Sequence, residues 1–477
     1  LKAAIAIRIH GCPVLIFHYR KPFLCPSALA SHEGCNCNAD CRAHARTPRL
    51  GFAATRERGD AGCSLEYFGV WRQPSEFDDG CPLHCREKRG VRRQNQWSAF
   101  KHGVACSWGG GRTPRPNVSR ALACLRKTKC DLKLVYPADA ERHVDEIRDA
   151  MKPWNSIPST YHAEDIWMDE FLSRWESRAP GTRVSDIFGD YIPIFTRWVE
   201  PWFTNGMHYP EGFLEALQKV LRGNVPYVTV SQNDEGITGK YEVDMNSVPN
   251  ILVLSAGGYG HVAVPLLHTN AGSQSEAKQN AYAGFFSYQQ HRVPLKERRY
   301  LFSYVGSLIH APHDMRAKMK ETVEDFAQAQ HIMHKVLIPT AKEPVQSAWT
   351  DIMLNSRFSL VPRGYGRTSY HLAETLQMGL IPIHVYTDQP WIPYPDAYEK
   401  LGFATTVEGL PALMSRLMGL SDADVEDLEA RVVEFAKSHY SPDGVTKQIA
   451  SFLTDNSSEL NSSELVCQRL PSSITSA

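Results

Sequence analysis

The pattern of apolar and polar positions changes near residue 130. Before it, apolar residues follow neither a strand nor a helix period. After it, short apolar runs alternate with amphipathic stretches. Lys133-Leu-Val-Tyr-Pro137 reads as a first strand. Residues 161–175 set Ile166, Phe171 and Trp175 among polar residues, which predicts an amphipathic helix. Residues 186–195 read as a turn and a buried strand, 211–222 as a helix, and 250–254 as a buried strand ahead of Gly257-Gly258-Tyr259-Gly260.

The second half is more regular. A strand over 299–306 ends in Gly306, and a helix from Arg316 to about Met333 lines up Met319, Val323 and Phe326. A strand at 358–361 runs through a loop at 362–369 into a helix at 370–378, which Gly379 stops. A strand follows at 380–385, then helices near 408–418, 422–438 and 443–453. This β-α-β-α order predicts an α/β fold, with parallel sheets covered by helices on both faces. Pro382 has no N–H to give a ladder, so it belongs at a strand start or a bulge. The Ser-rich tail, 455–477, reads as disordered.

Composition adds bounds. A chain of 477 residues, 43% hydrophobic and 22% charged, is a globular protein. At ~100–200 residues per domain it holds two or three units. Lys+Arg and Asp+Glu both number 52, so net charge gives no reason to expect nucleic acid as a partner. The balance hides an asymmetry: residues 1–130 carry 22 Lys+Arg against 9 Asp+Glu, and eleven of the twelve cysteines. That stretch is a Cys/Arg-rich N-terminal extension, read either as a disordered basic leader or as an EGF-like disulfide module; zinc-ligand spacing does not recur in it. No apolar run reaches the ~18–20 residues of a membrane span. The chain starts at Leu1, so a membrane anchor upstream stays open.

Candidate chemistry concentrates in residues 356–385. There a strand enters a loop with two glycines and two arginines, and the loop opens a helix. A helix N-terminus carries free N–H groups and partial positive charge, which suits a diphosphate. Arg363 and Arg367 offer bidentate contacts, Gly364 and Gly366 allow close backbone approach, and Thr368 and Ser369 offer a cap and hydroxyls. Glu374, about a turn and a half along, is placed to accept from ribose hydroxyls. The bland alternative is an ordinary βα turn with solvated arginines. The loop matches neither the Walker pattern nor G-x-G-x-x-G. A dinucleotide-binding oxidoreductase would need an acidic residue about 20 positions on, which Asp388 roughly supplies.

The segment Ser356-x-Phe358-x-Leu360-x-Pro362-x-Gly364, with Ser369, Glu374, Gly379 and Ile381-Pro382-Ile383, resembles the signature of the exostosin glycosyltransferase family. Arg298 to Gly306 with Arg316, His261-Val-Ala-Val-Pro265, Pro390-Trp-Ile-Pro-Tyr394 and Tyr161 to Phe195 resemble flanking motifs of that family. The chain departs from the pattern at Ser359 and Leu380, where the family has Cys, at His371, where it has Arg, and at His261, where it has an acid.

The resemblance implies a GT-B-like architecture of two Rossmann-like lobes facing a cleft. Residues 131–265 would form the acceptor-side lobe and 266–454 the nucleotide-sugar lobe. It implies an inverting hexosyl- or pentosyltransferase of polysaccharide biosynthesis or protein glycosylation, moving sugar from a nucleotide donor, UDP-linked by expectation, to a glycan or glycoprotein. Arg316, Arg363, Gly364, Gly366, Arg367, Thr368, Ser369, Glu374 and Asp388 would bind the donor. No metal or other cofactor is expected, since no D-x-D ends a strand. The acceptor needs a base; His261, His310, His313 and Asp314 follow strands and are the candidates, each set against a structural or surface role. Trp391 would stack on sugar or pack in the core. The implied location is the Golgi lumen or membrane, with homo- or hetero-oligomers open; the sequons at Asn117, Asn456 and Asn461 fit a lumenal path. A catalytically inactive carbohydrate-binding homologue is the principal alternative.

Overall fold

Strands covered on both faces bury every side chain, and Tyr227–Ser231 (β4) and Ile251–Ser255 (β5) are buried at every position, β5 as a nearly continuous apolar run and β4 with Thr229 and Ser231 among its apolar residues. A computed structural model describes residues 5–9, 12–16, 124–125, 132–156, 162–267, 285–338, 346–454, 463–468 and 470. The chain divides into two compact units, 1–95 and 96–477. In the first, β1 (Ile5–Ile9) and β2 (Cys12–Ile16) pair antiparallel. The expected Cys-rich module otherwise lies outside the described residues, apart from Cys124 and Leu125, as do all three sequon asparagines.

The second unit holds two parallel sheets, as the β-α alternation implies. One has the order β3-β4-β5-β6, with β3 at Ile192–Pro193 and β6 at Val262–Ala263. The other has the order β11-β10-β9-β7-β8. Its strands are β7 (Tyr300–Ser303), β8 (Val336–Leu337), β9 (Ser356–Pro362), β10 (Ile381–Tyr386) and β11 (Phe403–Thr406). In chain order that reads 2-1-3-4-5, so the winding reverses between β7 and β9. Ligands of open parallel sheets bind outside the carboxyl ends of strands at such a reversal.

Trp167, Phe171, Phe188 and Phe195 pack as one fully buried aromatic group in the first lobe. Phe302 stacks on Phe358 in the second. Pro382 is the second residue of β10, where its missing N–H is tolerated. Helix Pro442–Thr454 returns to pack on helix Val184–Phe188 of the first lobe.

Four readings change. Lys133–Pro137 is irregular, held by a Val135 N–H to Asn224 carbonyl bond of 2.8 Å, with Val135 and Tyr136 too exposed for a core strand. Residues 184–188 are helical, so Asp186 lies in a helix rather than a turn. Helix Ala140–Asn155, with Val144, Ile147 and Met151 on its buried side, was not singled out in the sequence. The expected disordered tail contains an ordered strap: Leu465 is buried, Cys467 bridges Val262 and forms a disulfide with Cys124, and the Gln468 N–H donates to the His261 carbonyl at 2.8 Å. Apolar Leu465 and the disulfide anchor what Ser-rich composition concealed.

Candidate functional site

The loop between β9 and helix Tyr370–Gln377 stands at the winding reversal of the second sheet. The ladder runs on to Arg363, whose N–H donates to the Val385 carbonyl at 2.9 Å. The Gly364 N–H then donates to the Thr368 carbonyl at 2.8 Å and closes the loop on itself. Ser369 is extended, and the helix starts without a side-chain cap. Ser369 Oγ is buried and has no hydrogen-bond partner. A missing cap costs a helix ~1 kcal/mol, so an acceptor supplied from outside would be stabilising.

The two arginines lie beneath the loop, 2% and 1% exposed. Arg363 donates to the Gly366 and Tyr365 carbonyls, Thr387 Oγ1 and Asp388 Oδ1, each at 2.9 Å. Arg367 donates through Nε to Asp388 Oδ2 at 2.7 Å and through Nη1 to the Gly258 carbonyl at 3.1 Å. Neither is the solvated cation of the bland reading, nor a guanidinium waiting for phosphate oxygens: both hold the loop's shape. Burial, against the pull of Asp388, brings the Arg363 guanidinium down to about 10, so it stays charged at neutral pH. Burial works against the Asp388 carboxylate, but the Gln389 N–H and both arginines outweigh it and keep it below its usual range. Asp388 therefore neutralises arginines and does not stand ready for a ribose, which removes the acidic residue that a dinucleotide site required.

Arg316 ties the loop to the neighbouring strand end. Its Nε donates to the Arg363 carbonyl at 2.9 Å and its Nη1 to the Ser307 carbonyl at 2.8 Å, past β7. Thr368 is buried, and Tyr365 is exposed with its ring 5.9 Å from that of His310. Glu374 lies one turn into the helix with its side chain 17% exposed. Residues 316, 363–369, 374 and 388 thus gather at one end of the second sheet.

The first lobe forms the facing wall. The Arg367 N–H donates to the Gly257 carbonyl at 3.1 Å, Gln232 Nε2 to Tyr370 Oη at 2.8 Å, and Trp391 Nε1 to the Ser255 carbonyl at 3.1 Å. Trp391 is fully buried and cannot stack on a sugar. A Cβ at Gly366 would come within 2.0 Å of the Gly257 carbonyl oxygen, and one at Gly258 within 2.3 Å of the Arg367 nitrogen. Only glycine permits that approach.

The base candidates fare unequally. His261 is buried in the first sheet, its Nδ1 accepting from the Val253 N–H at 3.0 Å, and burial pushes it down to about 4. It is a structural histidine just ahead of β6. His313 and Asp314 are exposed in left-handed backbone (φ 56° and 52°) just ahead of helix Met315–Ala329. His310 is exposed beside Tyr365.

Sequence reasoning passed over Asp234. It follows β4, is exposed at its edge, and accepts the Gly366 N–H across the seam between the lobes. Burial pushes its carboxyl up to about 6, Glu235 adds to this, and Arg363 and the Gly366 N–H oppose it. Its signal was positional: an acid just past a buried parallel strand.

Comparison with known proteins adds little to the geometry. No family model matches the chain, and no curated protein matches it. Among solved structures it is similar to TarM, with 7% identity and a TM-score of 0.26 over 50% of this chain and 57% of that one. It is similar to WaaG, a glycosyltransferase involved in lipopolysaccharide biosynthesis, with 11% identity and a TM-score of 0.25 over 51% and 67%. It is similar to MurG of Acinetobacter baumannii, with 9% identity and a TM-score of 0.28 over 51% and 70%. The chain spans little more than half the length of TarM. Overlaps this partial carry no argument about activity, so function rests on the site.

Proposed function

We propose that this chain is a glycosyltransferase that takes a sugar from a nucleoside diphosphate, UDP in the simplest reading, and passes it to a glycan or glycoprotein hydroxyl with inversion. The observation that carries the reading is the uncapped helix start at Ser369, with an unpartnered hydroxyl, at the β7/β9 winding reversal. Three guanidinium groups and two carboxylates surround the loop, from Arg316, Arg363, Arg367, Asp234 and Asp388. The guanidinium groups lie behind the helix N-terminus, where the diphosphate would gather negative charge as it departs.

In this reading the first N–H groups of the helix hold the diphosphate, and Glu374 accepts from the ribose hydroxyls. Asp234, on the facing lobe, takes the acceptor proton as the acceptor oxygen bonds to the anomeric carbon. The bond from that carbon to the diphosphate oxygen breaks, and its electron pair leaves with the nucleotide. The exostosin-type motifs support the same site. The Cys124–Cys467 disulfide supports an oxidising compartment such as the Golgi lumen.

A thermal-shift screen of nucleoside diphosphates tests the reading, since a ligand of the native state raises its melting temperature. UDP should stabilise the chain more than GDP, and Glu374→Ala should abolish the shift. No stabilisation by any nucleoside diphosphate sinks it. Stabilisation by a glycan alone would instead favour the catalytically inactive carbohydrate-binding homologue.

A further inference from the structure

Two positions that depart from the exostosin pattern, Ser359 and His371, touch each other. Ser359 Oγ lies 3.2 Å from His371 Nε2, and His371 Nδ1 lies 3.3 Å from Glu374 Oε2. Thr375 Oγ1 donates to Ser359 Oγ at 3.3 Å, and the Tyr304 ring meets the imidazole edge-on with centroids 5.9 Å apart. The order Ser–His–Glu is that of a nucleophile relay, but Ser359 is fully buried in the middle of β9 and no substrate reaches it. What the chain of bonds delivers is therefore its other end, the Glu374 carboxylate.

Proton placement makes the chain directional. An ionised carboxylate only accepts, so Nδ1 carries the hydrogen. Nε2 of a neutral ring must then accept, and the Ser359 hydroxyl donates to it. The Ser359 oxygen is left to accept from Thr375, as the geometry has it. Ser359 Oγ also has Met353 Sδ at 3.7 Å, a weaker acceptor than the imidazole nitrogen. His371 is 9% exposed, so most of the ring is covered by protein.

We propose that His371 is a positioning residue: through Nδ1 it fixes the Glu374 carboxylate in the orientation that receives the two hydroxyls of a ribose. The inference rests on the nucleotide reading above. A free Glu side chain loses rotamer freedom on binding, and a side chain ordered beforehand does not; removing the imidazole should weaken nucleotide binding about 3–10-fold.

The experiment is calorimetric titration of UDP into the full chain carrying His371→Ala, His371→Asn, Ser359→Ala or Glu374→Ala, with the ligand-free melting temperature of each. Asn places an amide N–H where Nδ1 stood. UDP affinity should fall about 3–10-fold in His371→Ala, return to within about twofold of wild type in His371→Asn, and vanish in Glu374→Ala. A merely structural histidine would lower the melting temperature of both His371 variants without this split in affinity. If His371→Ala binds UDP as wild type does while Glu374→Ala does not, the inference is overturned and the nucleotide site stands. If wild type does not bind UDP, both fall. Should His371→Ala not fold, Ser359→Ala interrogates the same chain from its far end, and an unchanged affinity there overturns the proposal.

Discussion

The two loops that meet between the lobes handle charge in opposite ways. The loop at 363–369 is dense with guanidinium groups, yet they are buried and satisfied by Asp388 and backbone carbonyls. The facing stretches, 232–235 and 256–260, are without cations, and 256–260 relies on glycine, yet they bring a carboxylate, Asp234, to the Gly366 N–H. Side chains that look reactive in a sequence can be scaffold, and the reactive candidate can come from the quieter side. A buried charge is retained only with a partner, so a buried arginine reports on its counter-ion before any ligand.

The largest expected effect breaks the scaffold. Asp388→Ala leaves two buried guanidinium groups with Asp234, across the seam from Arg363, as the remaining nearby anion. Because Asp388 is itself partly exposed, we expect the lower end of the range for broken buried pairs, about 3 kcal/mol of unfolding free energy by urea titration. Saturating UDP should restore more stability to this variant than it adds to wild type, because the diphosphate supplies the missing negative charge. A loss under ~1 kcal/mol would mean that the arginines find other partners and that the contrast between the loops is wrong.

A smaller effect probes the seam. In Gly366→Ala the new methyl group meets the Gly257 carbonyl and Asp234, both from the other lobe. The loops must move apart, at about 1–3 kcal/mol. Gly364→Ala is the control, since its Cβ meets nothing closer than the Thr368 carbonyl oxygen at 3.3 Å. Equal melting temperatures for the two variants would show that the lobes do not meet as described.

How much of this was legible follows from what periodicity encodes. Strands β5, β7, β9 and β10 stood out because strands of parallel sheets are rich in apolar residues, and the helix after β9 because Gly379 marks its end. The loop at 362–369 was found for the same reason: it is what lies between two clear elements. The pairing of Arg363 and Arg367 with Asp388 was not legible, because it joins residues about 20 positions apart through a strand register that sequence does not state. His261 misled because a histidine after a glycine-rich turn looks the same whether its ring meets solvent or, as it does, the Val253 N–H. Asp234 was missed because β4 itself, polar at Thr229 and Ser231, lacks an unbroken apolar run.

The smallest effect separates the two loops by sign. Asp234 sits near 6, above the ~3.9 of an unfolded aspartate, so the native state holds its proton more tightly. Its contribution to stability is complete below the unfolded value and drains away as pH rises from about 4 through 6. Asp388, held low mainly by hydrogen bonds and its arginines against its own burial, contributes in the reverse sense: stability present above the unfolded value and lost as pH falls below about 4. Melting temperatures from pH 3 to 8 for Asp234→Asn and Asp388→Asn should therefore differ from wild type on opposite limbs. Asp234→Asn flattens the fall between about pH 4 and 6, and Asp388→Asn removes part of the acid loss. The amplitude for Asp234 is modest because water reaches its edge. If both substitutions alter the same limb, the two aspartates share one environment, and the loop at 363–369 and its facing wall are not the electrostatic opposites that the geometry makes them.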